Sequence, residues 1–126
     1  MPEFETSWAL EYRRIDAFTE GYLHAMEWTE CNEDRPEMEM ADPSEALIAA
    51  ARQDCVDFQR DNRADLAETG ALDYQNGIDF WLTRNRHGAG FWDRGYGPVG
   101  DRLTEAAHVF GEVDLYVGDD GLIYSM

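Results

Sequence analysis

A chain of 126 residues fits one domain and is long enough to bury a core without disulfides or metal. With 44% hydrophobic and 13% aromatic residues it is composed as a folded domain, not as a disordered segment. The charge is the strongest signal: 27 acids face 10 basic residues, all Arg, for a net charge of −17, a field that opposes direct binding to nucleic-acid phosphates.

The first residues, MPEFETSWALEYRR, show no basic segment followed by an apolar run, and no stretch approaches the ~20 apolar residues of a membrane span, so a cytoplasmic protein is expected. From Trp8 onward, Trp8, Tyr12, Ile15, Phe18, Tyr22 and Met26 recur at helical spacing and predict an amphipathic helix capped by Thr6 or Ser7. Residues 30–43, ECNEDRPEMEMADP, hold two prolines and no apolar period, and read as an exposed acidic connection. Asp42 as N-cap, Pro43 in the first turn and Glu45 start a second helix that runs to about Glu68 and stops at Thr69-Gly70. Its buried stripe is Ile48, Ala51, Cys55 and Phe58, with Leu66 beyond. Cys31 and Cys55 have no CxxC spacing, so neither a zinc site nor a disulfide framework is expected.

After residue 73 the texture becomes aromatic and β-branched. Ile78–Arg84 and Gly90–Arg94 are predicted to pair as a β-hairpin, with Phe80 and Leu82 on one face, Trp81 and Thr83 on the other, and Phe91 and Trp92 on opposite faces of the return strand. Val99, Leu103, Ala106, Ala107 and Phe110 predict a third helix ended by Gly111, and Asp120-Gly121 between two strand-like runs predicts a final hairpin. The expected fold class is α+β, one domain over residues 1–126 in the order ααββαββ: an acidic helical half to residue 70, then a hairpin-helix-hairpin half whose antiparallel sheet is covered by helices.

Few groups are arranged for chemistry. His87-Gly88-Ala89-Gly90 lacks a GxSxG nucleophile elbow, and GAGFWD does not join a strand to a helix as a dinucleotide fingerprint must. His24 and His108 have no second ligand at i+4, and GDDG lacks the ligand spacing of a calcium loop, so no metal, cofactor or catalytic residue is expected. The informative pattern lies on the second helix. Asp54, Asp57, Asp61, Asp65 and Glu68 fall in one row, one acid per turn of ~5.4 Å, close to the phosphate spacing of a nucleic-acid strand. Asp16, Glu20, Glu27 and Glu30 on the first helix, and Glu33, Asp34, Glu37 and Glu39 in the connection, extend the acidity. Arg52, Arg60 and Arg63 are interleaved with the row, which a solvated helix laced with ion pairs would also show. Residues 1–70 carry 18 acids against 6 Arg, residues 71–126 only 9 against 4.

The run DFWLTRNRHGAGFWDRGYGPVGDRLTEAAHVFGEVDLYVGDDGLIY, residues 79–124, resembles a family of small bacteriophage and prophage proteins. Arg86 stands where that family often has a small residue. The resemblance implies a phage accessory protein acting inside a bacterium, and no catalytic residue comes with it. Acidity and context together lead to the expectation of a non-enzymatic anti-defence inhibitor, of the anti-CRISPR or anti-restriction kind. It would offer Asp54, Asp57, Asp61, Asp65, Glu68, Asp16, Glu20, Glu27 and Glu30 to the basic nucleic-acid groove of a host protein or ribonucleoprotein complex. The alternatives are a small hydrolase or nucleotide-binding protein using His87, Arg84 and Asp93, or a structural protein with Trp81 or Trp92 at an interface.

Overall fold

The computed structural model describes residues 15–126. Helix α1 (Ala17–Glu30) opens at Asp16, whose Oδ1 accepts from the Thr19 backbone N–H at 2.8 Å. It buries Phe18, Tyr22 and Met26 on the face that the spacing selects. Trp8, Tyr12 and the Thr6 or Ser7 cap lie outside the described residues. Burial works against ionisation of Asp16, but donors from Thr19 and Gln59 and the charge of Arg52 hold its carboxyl below the ordinary range. A lowered carboxyl stabilises the fold above its unfolded pKa, and that contribution is lost as pH falls through the folded value. Asp16→Ala is therefore expected to cost about 1 kcal/mol at pH 7 and far less at about pH 2, read from urea midpoints.

The acidic connection contains a short helix, α2 (Pro36–Glu39), which seats Met38 in the core. Helix α3 (Glu45–Asp61) is capped by Ser44 instead of Asp42, the Ser44 Oγ accepting from Leu47 N at 3.1 Å. Asp42 and Pro43 are drawn out of the helix because they bridge the last strand: Ile123 N donates to Asp42 O, and Ser44 N donates to Ile123 O. Ile48, Ala51, Cys55 and Phe58 form the buried stripe of α3 as expected. The single helix predicted through Glu68 is interrupted at Asn62 (φ −126°, ψ 24°), whose Nδ2 donates to the Phe58 carbonyl at 2.9 Å, a side-chain bond that competes with regular helix. Helix α4 (Arg63–Thr69) follows and ends at Gly70 in left-handed geometry.

The next element overturns the α+β expectation. Residues predicted as the first hairpin form helix α5 (Asp73–Arg84) and, after a loop, a single 3-10 turn at Phe91–Asp93. Among the described residues the fold is six helices and one two-stranded antiparallel hairpin, not ααββαββ. The physical reason is burial on every side. Asn76 through Trp81, Thr83 and Arg84 are all buried, and a helix enclosed all round shows no apolar stripe to betray its period.

Two glycines allow that enclosure. A Cβ on Gly77 would sit 1.8 Å from the Phe18 carbonyl oxygen, and one on Gly21 would sit 2.1 Å from the Tyr74 carbonyl oxygen. Helices α1 and α5 thus cross backbone against backbone, in the most extensive helix contact among the described residues. Aromatic rings fill the space around the crossing: Phe80 stacks on Phe58 at 4.1 Å between centroids, and Trp81 meets Tyr22 edge-on at 5.2 Å. The buried Trp81 Nε1 is satisfied by Thr29 Oγ1 at 2.8 Å.

Helix α6 (Pro98–Val109) adds Val99, Leu103 and Ala107 to the core, as its spacing predicts. The final hairpin forms where its turn signal lies, with β1 (Leu115–Val117) antiparallel to β2 (Ile123–Ser125) and Tyr116 opposite Tyr124. Among the described residues no helix is long and apolar enough to cross a membrane.

Candidate docking face and polar cleft

The charged residues of α5 and the loop that follows it are largely consumed by structure. Arg84 is 4% exposed and donates to four partners on three elements. Its Nη1 reaches Asp54 Oδ2 at 2.7 Å and the Tyr22 hydroxyl at 3.1 Å, while Nε and Nη2 reach the Gly111 and Phe110 carbonyls, both at 2.8 Å. Those carbonyls end α6 and have no partner within their helix, so Arg84 caps α6 while holding α3 and α1. Asp79, with no exposed surface, takes Arg94 on both carboxylate oxygens, the shortest contact being 2.7 Å, and Gln75 as well. Burial pushes the Asp79 carboxyl up against the pull of Arg94. A raised carboxyl lining a cleft would suggest catalysis; here both oxygens are bound and the group is a lock between α5 and the 3-10 turn.

Thr83 Oγ1 accepts from Phe91 N at 3.1 Å, and Asp93 Oδ1 accepts from Gly90 N at 3.0 Å. Of the set His87, Arg84 and Asp93, Arg84 is buried in its four bonds and one Asp93 carboxylate oxygen holds Gly90 N. Trp81 is buried in the core and is no interface residue, whereas Trp92 is 51% exposed. His24 Nδ1 pairs with the Tyr74 hydroxyl at 2.8 Å, and His108 is half-buried on α6. Among the described residues no group of three or more His, Cys, Asp or Glu is placed to hold a metal ion.

Helix α5 ends in a Schellman motif: Arg86 N donates to Thr83 O and His87 N to Leu82 O. The left-handed position that usually takes glycine is Arg86, at φ 59°. Its guanidinium lies 3.8 Å from Glu112, with both side chains 59% exposed, a pair too exposed to offset the strain of the backbone. Arg86→Gly is expected to raise stability by about 0.5–1 kcal/mol in urea unfolding.

The acidic row is real but mostly occupied. Asp54 pairs with Arg84 at 2.7 Å, Asp57 and Asp61 share Arg60 at 3.0 Å each, and Asp65 meets Arg102 of α6 at 3.0 Å. Glu68 alone of the five has no ion-pair partner among the described residues, and the break at Asn62 divides the row between two helices. Asp16 is spent on its cap. Glu20 and Glu27 are exposed on α1 without a described cation, and Glu30 is held by Arg35 at 2.8 Å. From Glu27 to Glu45 there are eight acids and one arginine, Arg35, which reaches only Glu30 and Glu37. Glu27 and Glu30 also stand in the last turn of α1, where the helix dipole disfavours negative charge and the turn itself carries no basic residue. Trp28, 58% exposed, lies among them.

Beside this face opens a cleft of about 360 Å³ lined by Glu30, Arg35, Asn85, His87, Glu112, Val113, Asp114, Leu115 and Met126. Its wall joins the end of α1 to the loop after α5 and the approach to β1. Arg35 spans it, Nη1 on Glu30 and Nη2 on the Leu115 carbonyl at 3.2 Å, and His87 Nε2 faces the other Glu30 oxygen at 4.0 Å. Nothing in the sequence pattern points to this grouping, because its members are scattered from Glu30 to Met126, with Arg35 reaching Leu115 across 80 positions.

Both cysteines are free. The half-buried Cys31 thiol is pushed up to about 11 by burial and by Glu27 and Glu30, and burial pushes the Cys55 thiol up as well. In a timed iodoacetamide reaction at about pH 8, Cys31 is expected to label slowly and Cys55 only after denaturant is added.

Compared with family models, curated proteins and solved structures, the chain matches none.

Proposed function

We propose that this is a phage accessory protein that works inside a bacterium as an anti-defence inhibitor, docking on the basic nucleic-acid groove of a host restriction or CRISPR complex. The observation that carries the reading is the stretch Glu27–Glu45, where acids outnumber arginine eight to one between the last turn of α1 and the first residue of α3. Two of those carboxylates, Glu27 and Glu30, do not serve helix stability, since they oppose the dipole of α1. Long-range attraction between such a face and a basic groove speeds association and orients it. Trp28 supplies the aromatic anchor that such interfaces favour. The α3–α4 row extends the field, with Arg60 and Arg102 as partial neutralisers.

The test is competition: purified restriction and CRISPR interference complexes are mixed with labelled DNA, and displacement by the protein is followed at rising salt. Displacement at low salt that weakens as salt rises is expected. Undisturbed DNA binding across the panel overturns the proposal. Trp28→Ala is expected to weaken displacement about tenfold while shifting stability by no more than about 0.5 kcal/mol.

A further inference from the structure

We infer that the cleft between α1, the loop after α5 and β1 is a binding site for one side-chain-sized cation, an alkylguanidinium or alkylammonium group. The charge inventory sets the sign. Its two potential cations are already committed: the three guanidinium nitrogens of Arg35 face Glu30, Leu115 O and Glu37, and His87 Nε2 is turned to Glu30. An anion would meet Glu30, Glu112 and Asp114 on the lining, against Arg35 and His87, which both already face Glu30. On the opposite wall, Asp114 has no ion-pair partner among the described residues, and Glu112 has only the exposed Arg86 at 3.8 Å.

Shape gives the rest of the ligand. Val113, Leu115 and Met126 line the same cleft, an apolar surface for a methylene stem of the kind that lysine and arginine lay along a protein while their head groups reach polar partners. The volume of about 360 Å³ holds one such side chain with room for water. At the rim the chain places a guanidinium of its own: Arg86, in its left-handed conformation, leans on Glu112 without a tight pair. An incoming cation would exchange for Arg86 on Glu112 and gain Asp114.

The experiment titrates the 15N-labelled protein with three probes: N-acetyl-arginine N′-methylamide, spermidine, and N-acetyl-glutamate N′-methylamide as a control. The expected result is saturable shifts confined to the amides of His87, Val113, Asp114 and Leu115, with a dissociation constant on the order of 1 mM for the cationic probes and no response to the glutamate. Glu112→Gln with Asp114→Asn is expected to weaken them about tenfold, whereas Glu33→Gln with Glu39→Gln leaves them unchanged. Tighter binding of the blocked arginine identifies a protein side chain as the source of the cation, and tighter binding of spermidine identifies a free polyamine. Shifts spread over every acidic segment without saturation, or saturable shifts unaffected by the Glu112/Asp114 change, overturn the site. The titration needs no macromolecular partner, so its failure leaves the docking reading intact, and failure of the DNA competition leaves the cleft intact.

Discussion

Gly77→Ala is expected to remove at least about 3 kcal/mol of stability, enough to leave a domain of this size largely unfolded near its former melting temperature. The new Cβ would lie 1.8 Å from the Phe18 carbonyl oxygen, and the obstacle is backbone, which no rotamer change can move aside. Relief requires α1 and α5 to separate by more than an ångström. That separation would loosen the Phe58–Phe80 and Tyr22–Trp81 contacts at once, and close-packed cores do not tolerate it. Gly21→Ala meets the Tyr74 carbonyl at 2.1 Å and is expected to do the same. Gly88→Ala, with nothing within 4 Å, is the control and is expected to stay within about 0.5 kcal/mol of the parent. Thermal and urea unfolding of the three variants decide the matter; a Gly77→Ala protein that melts with the parent would mean that the helices do not cross at these glycines.

Arg84→Met is expected to cost about 3–5 kcal/mol, because it strips a buried ion pair of one partner. The loss falls on several groups together: the Phe110 and Gly111 carbonyls, the Tyr22 hydroxyl and Asp54 all lose a donor. Arg84→Lys is expected to recover little, since one ammonium cannot span positions that a planar guanidinium reaches from three nitrogens. Asp54→Asn is the milder change, because the Asp54 side chain is 34% exposed and water can replace part of the pair. Chemical denaturation of all three gives the ranking, and Arg84→Lys at parental stability would show that the fork geometry is not what holds α6 to α5.

These two residues also explain what could be read in advance. The stripes of α1, α3 and α6 face solvent on one side, so their apolar period survives in the sequence, and Phe18, Ile48, Phe58 and Leu103 are buried where the spacing puts them. The last hairpin is short and carries its turn chemistry at Asp120-Gly121. Helix α5 gave the opposite signal. Enclosed by its neighbours, it carries Ile78, Phe80 and Trp81 next to Asp79 and Arg84, all buried, and aromatic and β-branched residues mark burial at least as much as strand geometry. The partners of its charged members Asp79 and Arg84, namely Arg94 and Asp54, lie 15 and 30 positions away, so no local spacing marks these pairs.

The acidic surface divides in the same manner. Its composition and its concentration in the first half of the chain are plain in the sequence, but which carboxylates are neutralised depends on tertiary pairing. Arg102 reaches Asp65 across 37 residues and Arg84 reaches Asp54 from another helix, so the row with the clearest spacing became the one most occupied by cations. The irregular stretch around α2, which has no period, kept the larger uncompensated charge.

Docking through the end of α1 is tested most directly by two neutralised proteins in the DNA competition assay. One carries Glu27→Gln, Glu33→Gln, Asp34→Asn and Glu39→Gln; the other carries Asp57→Asn and Asp61→Asn on the paired row. Displacement of DNA from the host complex is expected to be lost in the first and reduced only several-fold in the second, roughly in the ratio expected for free against arginine-paired carboxylates. Full displacement by the first protein would place the partner contact elsewhere and contradict the assignment.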